Sequence, residues 1–227
     1  QTGDLTPADK KLYALRDATA TVDSIPLIAT SVMSKKLAAG ADALVLDVKY
    51  GSGALMKSLD DAQELAKTMI DLARAAGKEA VALITAMDEP LGKAVGNALE
   101  VKEALAALSG KGPPDLVELV ITLGVEMLLL SQRAKSREEA EERLRLALAD
   151  GSGLNKFTEI VARQGGDTAA FDDPNRLPRA PVTFPVMADR EGYVQKVDAF
   201  VIGNTVMQLG AGRAVQDAAI DPAVGIE

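Results

Sequence analysis

Three residues near the start of the chain, Arg16, Ser31 and Lys35, have the types and spacing to bind a polar planar ring. Ser31 and Lys35 are four apart, so on a helix their side chains lie one above the other on one face. Arg16 falls at the end of the preceding helical stretch, where it can converge on them. A hydroxyl flanked by two cations suits a planar group with alternating carbonyls and an N–H. The same residues also fit a solvated helix face, with Arg16 paired to Asp17 or Asp23. Spacing alone leaves both readings open.

The elements that must position these residues follow from local pattern. Thr6-Pro7-Ala8-Asp9 opens a helix: Thr6 caps, Pro7 suits the first helical position and Asp9 complements the dipole. This helix is predicted to run to about Asp17, and a second from Ser24-Ile25-Pro26 until Gly40 stops it. Residues 43–48 form a short Val- and Leu-rich run followed by the turn Tyr50-Gly51-Ser52-Gly53, which reads as a buried strand. An amphipathic helix over 59–76, closed by Gly77, and a second buried strand over 80–85 complete a βαβ unit with a parallel pair.

Four further helices are predicted over 98–108, 115–130, 137–148 and 154–163, with Ser136 and Glu139 at capping-box spacing. Residues 182–187 and 193–197 alternate like strands, and 199–209 suit a helix. The fold class expected is α/β: a small α-helical segment (1–40), part of a mixed-sheet α/β domain (41–165), a linker (166–181) and a small C-terminal α+β piece (182–227).

Composition narrows the function classes. With 227 residues, 48% of them hydrophobic, the chain can bury a sizeable core. A net charge of −8 argues against nucleic acid and against an anionic membrane surface, leaving a small molecule or another protein as partner. The apolar stretch 116–130 is broken by Glu118 and Glu126 and is too short to span a bilayer. No secretory pattern opens the sequence, so a cytoplasmic location is expected. With no cysteine and no histidine, disulfides, thiolate nucleophiles, the usual triads and zinc sites cannot be built from these residues.

The words around the three candidate residues are specific. Leu12-Tyr13-Ala14-Leu15-Arg16-Asp17, the run Thr19-Ala20-Thr21-Val22-Asp23-Ser24-Ile25-Pro26-Leu27-Ile28, and Ser31-Val32-Met33-Ser34-Lys35-Lys36-Leu37-Ala38 resemble the base-binding segment of the thymidine and pyrimidine nucleoside phosphorylase family. Further landmarks follow in order: Asp47-Val48-Lys49-Tyr50-Gly51-Ser52-Gly53-Ala54, Gly96-Asn97-Ala98-Leu99-Glu100-Val101, Gln164-Gly165-Gly166-Asp167 and Leu209-Gly210-Ala211-Gly212-Arg213. The resemblance covers essentially the whole chain and is nearest to Bacillus-type members. It implies that Arg16, Ser31 and Lys35 hydrogen-bond the pyrimidine ring, with Tyr13 packing as a wall. The implied reaction is phosphorolysis of uridine or thymidine, with inorganic phosphate as co-substrate, no organic cofactor, and a homodimer formed through the helical segment.

The resemblance also implies parts that this sequence does not carry. Family members have an upstream helical segment and a glycine-rich strand–loop region that holds phosphate, whereas this chain opens at Gln1-Thr2-Gly3. The expectation is a larger part of such an enzyme, whose partner is the missing N-terminal segment and which is inactive alone. It is also expected to stop before the usual C-terminal strands. Gly51-Ser52-Gly53 is no substitute, since no Lys-Ser or Lys-Thr follows as a P-loop requires, although Lys49 is a weak pocket candidate. A potassium ion is implied at Leu91, Ala94 and Glu103, through backbone carbonyls and one carboxylate; on residue type alone, Glu103 is an exposed helix carboxylate beside Lys102. The rival readings are a non-catalytic base-binding fragment and an anthranilate phosphoribosyltransferase-like glycosyl transfer.

Overall fold

The computed structural model describes residues 5–213 and 219–227, with the side chain of Asp17 outside that description. The opening Gln1-Thr2-Gly3 and part of the C-terminal region therefore lie outside the described residues. The chain divides into two compact units, residues 1–87 with 123–140, and residues 88–122 with 141–227.

In the first unit, α1 (Pro7–Ala18) and α2 (Ile25–Ala38) lead into β1 (Ala43–Tyr50), α3 (Leu59–Ala75) and β2 (Glu79–Ala86). The predicted βαβ unit forms: β1 and β2 pair in parallel, with Ala43 opposite Glu79 and Tyr50 opposite Ala86. Its helix begins because the Ser58 hydroxyl accepts the Asp61 amide at 3.1 Å, a side-chain cap for an otherwise orphaned donor. It ends at Gly77, whose φ of 69° lets Lys78 donate back to the Ala73 carbonyl at 2.9 Å. Ala62, Leu65, Ala66, Met69 and Ala73 form one stripe on α3 at helical periodicity. They pack with Ile28, Ala29 and Met33 of α2 and with Leu44, Leu46 and Val48 of β1 into the main core.

The strands differ from the sequence expectation in one respect. Both were read as buried on two faces, but in β1 only alternate residues are buried and Asp47 is exposed, while β2 is half-buried at its inner positions. Among the described residues of this unit, α2 and α3 supply the helical packing on one face, so the opposite parity carries the polar Asp47, Lys49 and Thr85. Period-2 burial of that kind is the pattern of a sheet covered on one side.

The second unit contains α4 (Asn97–Leu108), α7 (Ser152–Arg163), the short α8 (Ala169–Asp172) and α9 (Ala199–Val206). Two further helices, α5 (Pro114–Leu130) and α6 (Arg137–Ala149), each contribute residues to both units. The α6 cap matches its prediction in part: the Ser136 hydroxyl accepts from the Glu139 amide at 3.2 Å, but the Glu139 carboxylate reaches the Lys135 amide at 2.9 Å rather than the cap residue's own. Residues 182–187 and 193–197, expected as strands, form no ladder among the described residues. Alternation supplies one apolar face, but a strand also needs a neighbour for its amides and carbonyls, and here Val186 and Tyr193 stand almost fully exposed. An isolated antiparallel bridge joins Val95 to Ile226, with both hydrogen bonds at 2.8 Å. Among the described residues, no helix is long and apolar enough to cross a membrane.

Candidate functional site

Arg16, in the last turn of α1, is buried, and its guanidinium is tied to backbone carbonyls. One amino group donates to the Leu27 carbonyl at 3.2 Å and the other donates to the Val22 carbonyl. Asp23, one of the two carboxylates considered as its partner, lies exposed, and the other, Asp17, has its side chain outside the described residues. The Tyr13 ring centroid lies 5.3 Å from the guanidinium carbon, a cation–π contact. The Arg16 Nε–H is buried without a partner among the described residues. An unsatisfied buried donor on a charged group is costly unless something supplies an acceptor.

Ser31 and Lys35 meet as their spacing on α2 requires. Lys35 Nζ donates to the Ser31 hydroxyl at 2.8 Å and to the Ser31 carbonyl at 3.0 Å. Its third donor goes to a residue that the sequence reading had assigned only to the helix dipole: Asp9, in the first turn of α1, forms an ion pair with Lys35. Asp9 and Ser31 are both buried. Burial alone raises the Asp9 pKa, but hydrogen bonds from Lys35 and Ser31, together with the charges of Lys35 and Arg16, outweigh it and hold the carboxyl below its ordinary value. One signal in the sequence pointed to Asp9. It lies seven residues before Arg16, two helical turns away on the same face.

Lys49, the weak pocket candidate, sits near the carboxyl end of β1, where α/β sheets commonly place ligands. Its ammonium pairs with Asp47 at 2.7 Å and donates to the Thr85 hydroxyl at 2.9 Å. All three border or adjoin a cleft of about 500 Å³ whose lining includes Lys36, Asp47, Lys49, Gly53 and Met87. The Gly51-Ser52-Gly53 turn is a folded connection: Gly51 donates to Met56 and Gly53 to Met87, at 3.0 and 2.9 Å. Those amides are thus already used.

In the second unit, Glu103 of α4 is half-buried, with one carboxylate oxygen accepting the amides of Lys93 at 2.8 Å and Ala94 at 3.2 Å. Gly92, at φ 72°, brings the backbone so close to that carboxylate that a Cβ would collide with it. The Ala94 amide thus meets one fixed carboxylate, and Leu91, which is exposed, precedes Gly92 in the same loop. Among the described residues no cluster of three or more carboxylates exists, so a cation here would depend on carbonyl oxygens. That donor set, all oxygen with a single charge, fits a large, weakly charged hard cation better than a transition metal.

Residues 1–154 match the glycosyl transferase family, a/b domain. The chain belongs to that family. Residues 193–227 match the pyrimidine nucleoside phosphorylase C-terminal domain. Over 226 of its 227 residues, the chain is 54% identical to the pyrimidine-nucleoside phosphorylases of Geobacillus stearothermophilus and Bacillus subtilis, and 53% identical to that of Staphylococcus aureus. It covers 52% of each, so it spans about half the length of the curated relatives it matches. The resemblance read from the words around Arg16, Ser31 and Lys35 is borne out, and so is the α/β class of this family member.

Proposed function

We propose that this chain supplies the base-binding half of a pyrimidine nucleoside phosphorylase. The observation that carries the reading is the buried Arg16 and the half-buried Lys35 on either side of the buried Ser31, with one arginine N–H left without an acceptor among the described residues. The activity named for the relatives, pyrimidine-nucleoside phosphorylase, supports the same substrate class. In the reaction, a phosphate oxygen bonds to the anomeric carbon as the bond from that carbon to the ring nitrogen breaks. The bonding pair leaves on the pyrimidine, giving a pentose 1-phosphate and a free base. Cations at the ring carbonyls stabilise the departing negative charge more in the transition state than in the ground state, which is the condition for raising the rate.

The phosphate site belongs, in this reading, to an upstream segment of the kind the longer relatives have room for, and Gly51-Ser52-Gly53 takes no part in it. A potassium ion is assigned to Leu91, Ala94 and Glu103, where it would fix the loop between β2 and α4 and supply no bond-making chemistry. A homodimer through the helices of residues 1–40, a division into segments at residues 40, 165 and 181, and a cytoplasmic setting complete the reading, each carried by the resemblance.

The test is release of free pyrimidine from uridine and thymidine in phosphate buffer. Turnover is expected from the chain joined to the upstream segment and not from the chain alone, because positioning two reactants is worth about 7–11 kcal/mol of barrier. In the completed protein, Arg16→Ala, Ser31→Ala and Lys35→Ala should each lower kcat/KM roughly tenfold to over a hundredfold, the worth of about 1.5–3 kcal/mol for a hydrogen bond to a charged group. Three variants all within about twofold of the parent would overturn the base-site assignment.

A further inference from the structure

We propose that Asp9 is a positioning residue for the reaction: it holds Lys35 against Ser31 and sets the net charge of the base site. The proposal rests on the base-site reading above and adds to it a residue that never touches substrate. Three observations carry it. Lys35 has three N–H donors, and all three are committed, to Asp9, to the Ser31 hydroxyl and to the Ser31 carbonyl. The ammonium is thus fixed in one rotamer instead of swinging on its four-carbon stem. Asp9 is buried on α1 while Lys35 projects from α2, so the pair also pins the two helices together beside the site.

Charge supplies the third observation. Arg16 and Lys35 contribute two positive charges and Asp9 one negative charge in one cluster, where Arg16 and Asp9 are buried and Lys35 is half-buried. The sum is a single positive charge, which matches the one negative charge that develops on a departing pyrimidine. Two uncompensated cations would bind any anion tightly in the ground state, whereas catalysis needs attraction that grows as the glycosidic bond breaks. When a ring carbonyl arrives, the neutral Ser31 acceptors are the cheaper contacts for Lys35 to release. The charge-assisted bond to Asp9 is the stronger one and stays.

The experiment is a double-mutant cycle in the completed protein with Asp9→Asn, Lys35→Met and the double variant, reading kcat, KM for uridine and thermal unfolding. Asp9→Asn should lower kcat about tenfold or more while KM moves less, since a loosened Lys35 is felt most where charge develops. In the Lys35→Met background the same change should cost no further activity beyond about twofold, because the residue through which Asp9 acts is gone. It should also raise the unfolding temperature there, by removing a buried carboxylate left without its partner. An equal loss of kcat from Asp9→Asn with and without Lys35 would overturn the positioning role while leaving the base site intact. A Lys35→Met protein with parental kcat would overturn the base-site reading and this proposal together. A fall in stability with kcat unchanged in Asp9→Asn would make the pair a structural clasp and likewise refute the proposal.

Discussion

Asp9 couples the chemistry of the site to the stability of the α1–α2 pair, and its titration gives that coupling a direction. The unfolded chain should protonate it near the ordinary 3.8, whereas in the folded chain the carboxyl stays ionised to lower pH, because the hydrogen bonds and cations around it outweigh its burial. A depressed folded value means that the unfolded state takes up the proton first on acidification. The stabilisation is therefore complete above the unfolded value and is lost as pH falls from 3.8 through the lower folded value. The difference in unfolding temperature between the parent and Asp9→Asn should accordingly be constant above about pH 5 and shrink as acid enters that window. A difference that persists unchanged to the lowest pH at which the protein still unfolds cooperatively would show that no ionised carboxylate is being lost. Arg16 shows the complementary case, a cation whose two amino groups donate to carbonyls and whose Nε–H meets no acceptor among the described residues.

At the scale of elements, the loop between β2 and α4 is held by side-chain acceptors rather than by a ladder. Glu103 takes the Lys93 and Ala94 amides, and the Asp115 carboxylate takes the Gly92 amide at 2.9 Å. If potassium completes this arrangement through the Leu91 and Ala94 carbonyls, it binds the folded state alone and raises the unfolding temperature with its concentration. Thermal unfolding in potassium chloride, against a bulky organic cation at matched ionic strength, should show a rise of a few degrees for the parent and none for Glu103→Gln, about what 1 kcal/mol is worth for a chain of this size. Identical melting of the parent in both salts would remove the cation site. Much of this element pattern was legible in the sequence. Helix positions followed from capping residues such as Ser136 and closing glycines such as Gly77, and the βαβ unit from two aliphatic runs around an amphipathic stretch. Where the reading failed, a non-local partner was required: the alternation of Val182, Phe184 and Val186 is a property of the chain, but a strand is a property of two. The Asp9–Lys35 pair was missed for the same reason, because it joins residues 26 apart that meet only when α1 packs on α2.

At the scale of the whole molecule, the order of the chain and the order of its compact units do not coincide. The first unit takes in residues 1–87 and then 123–140, so the chain leaves it after Met87 and returns to it within α5. The returning segment brings its own buried side chains: Val125, Ala134 and Ala140 are buried, and so is Glu126, a carboxylate on α5 that is paired with Arg137. A charge in that position is stable only while its partner is present. The sequence reading saw Glu126 merely as an interruption of an apolar run; the ion pair accounts for it. Because burial of apolar area stabilises by roughly 25 cal/mol per Å², a piece that ends at residue 87 forfeits what residues 123–140 contribute to that unit, although it retains both strands and the α2–α3 core. Polypeptides of residues 1–87 and 1–140 should therefore differ in denaturant unfolding, the longer one having the higher midpoint and the steeper dependence, since more surface is exposed when it unfolds. The fluorescence of Tyr13 and Tyr50, both in the first unit, follows the transition in each. Coincident transitions in the two polypeptides would mean that residues 1–87 are self-sufficient and that the returning segment is not part of their cooperative unit.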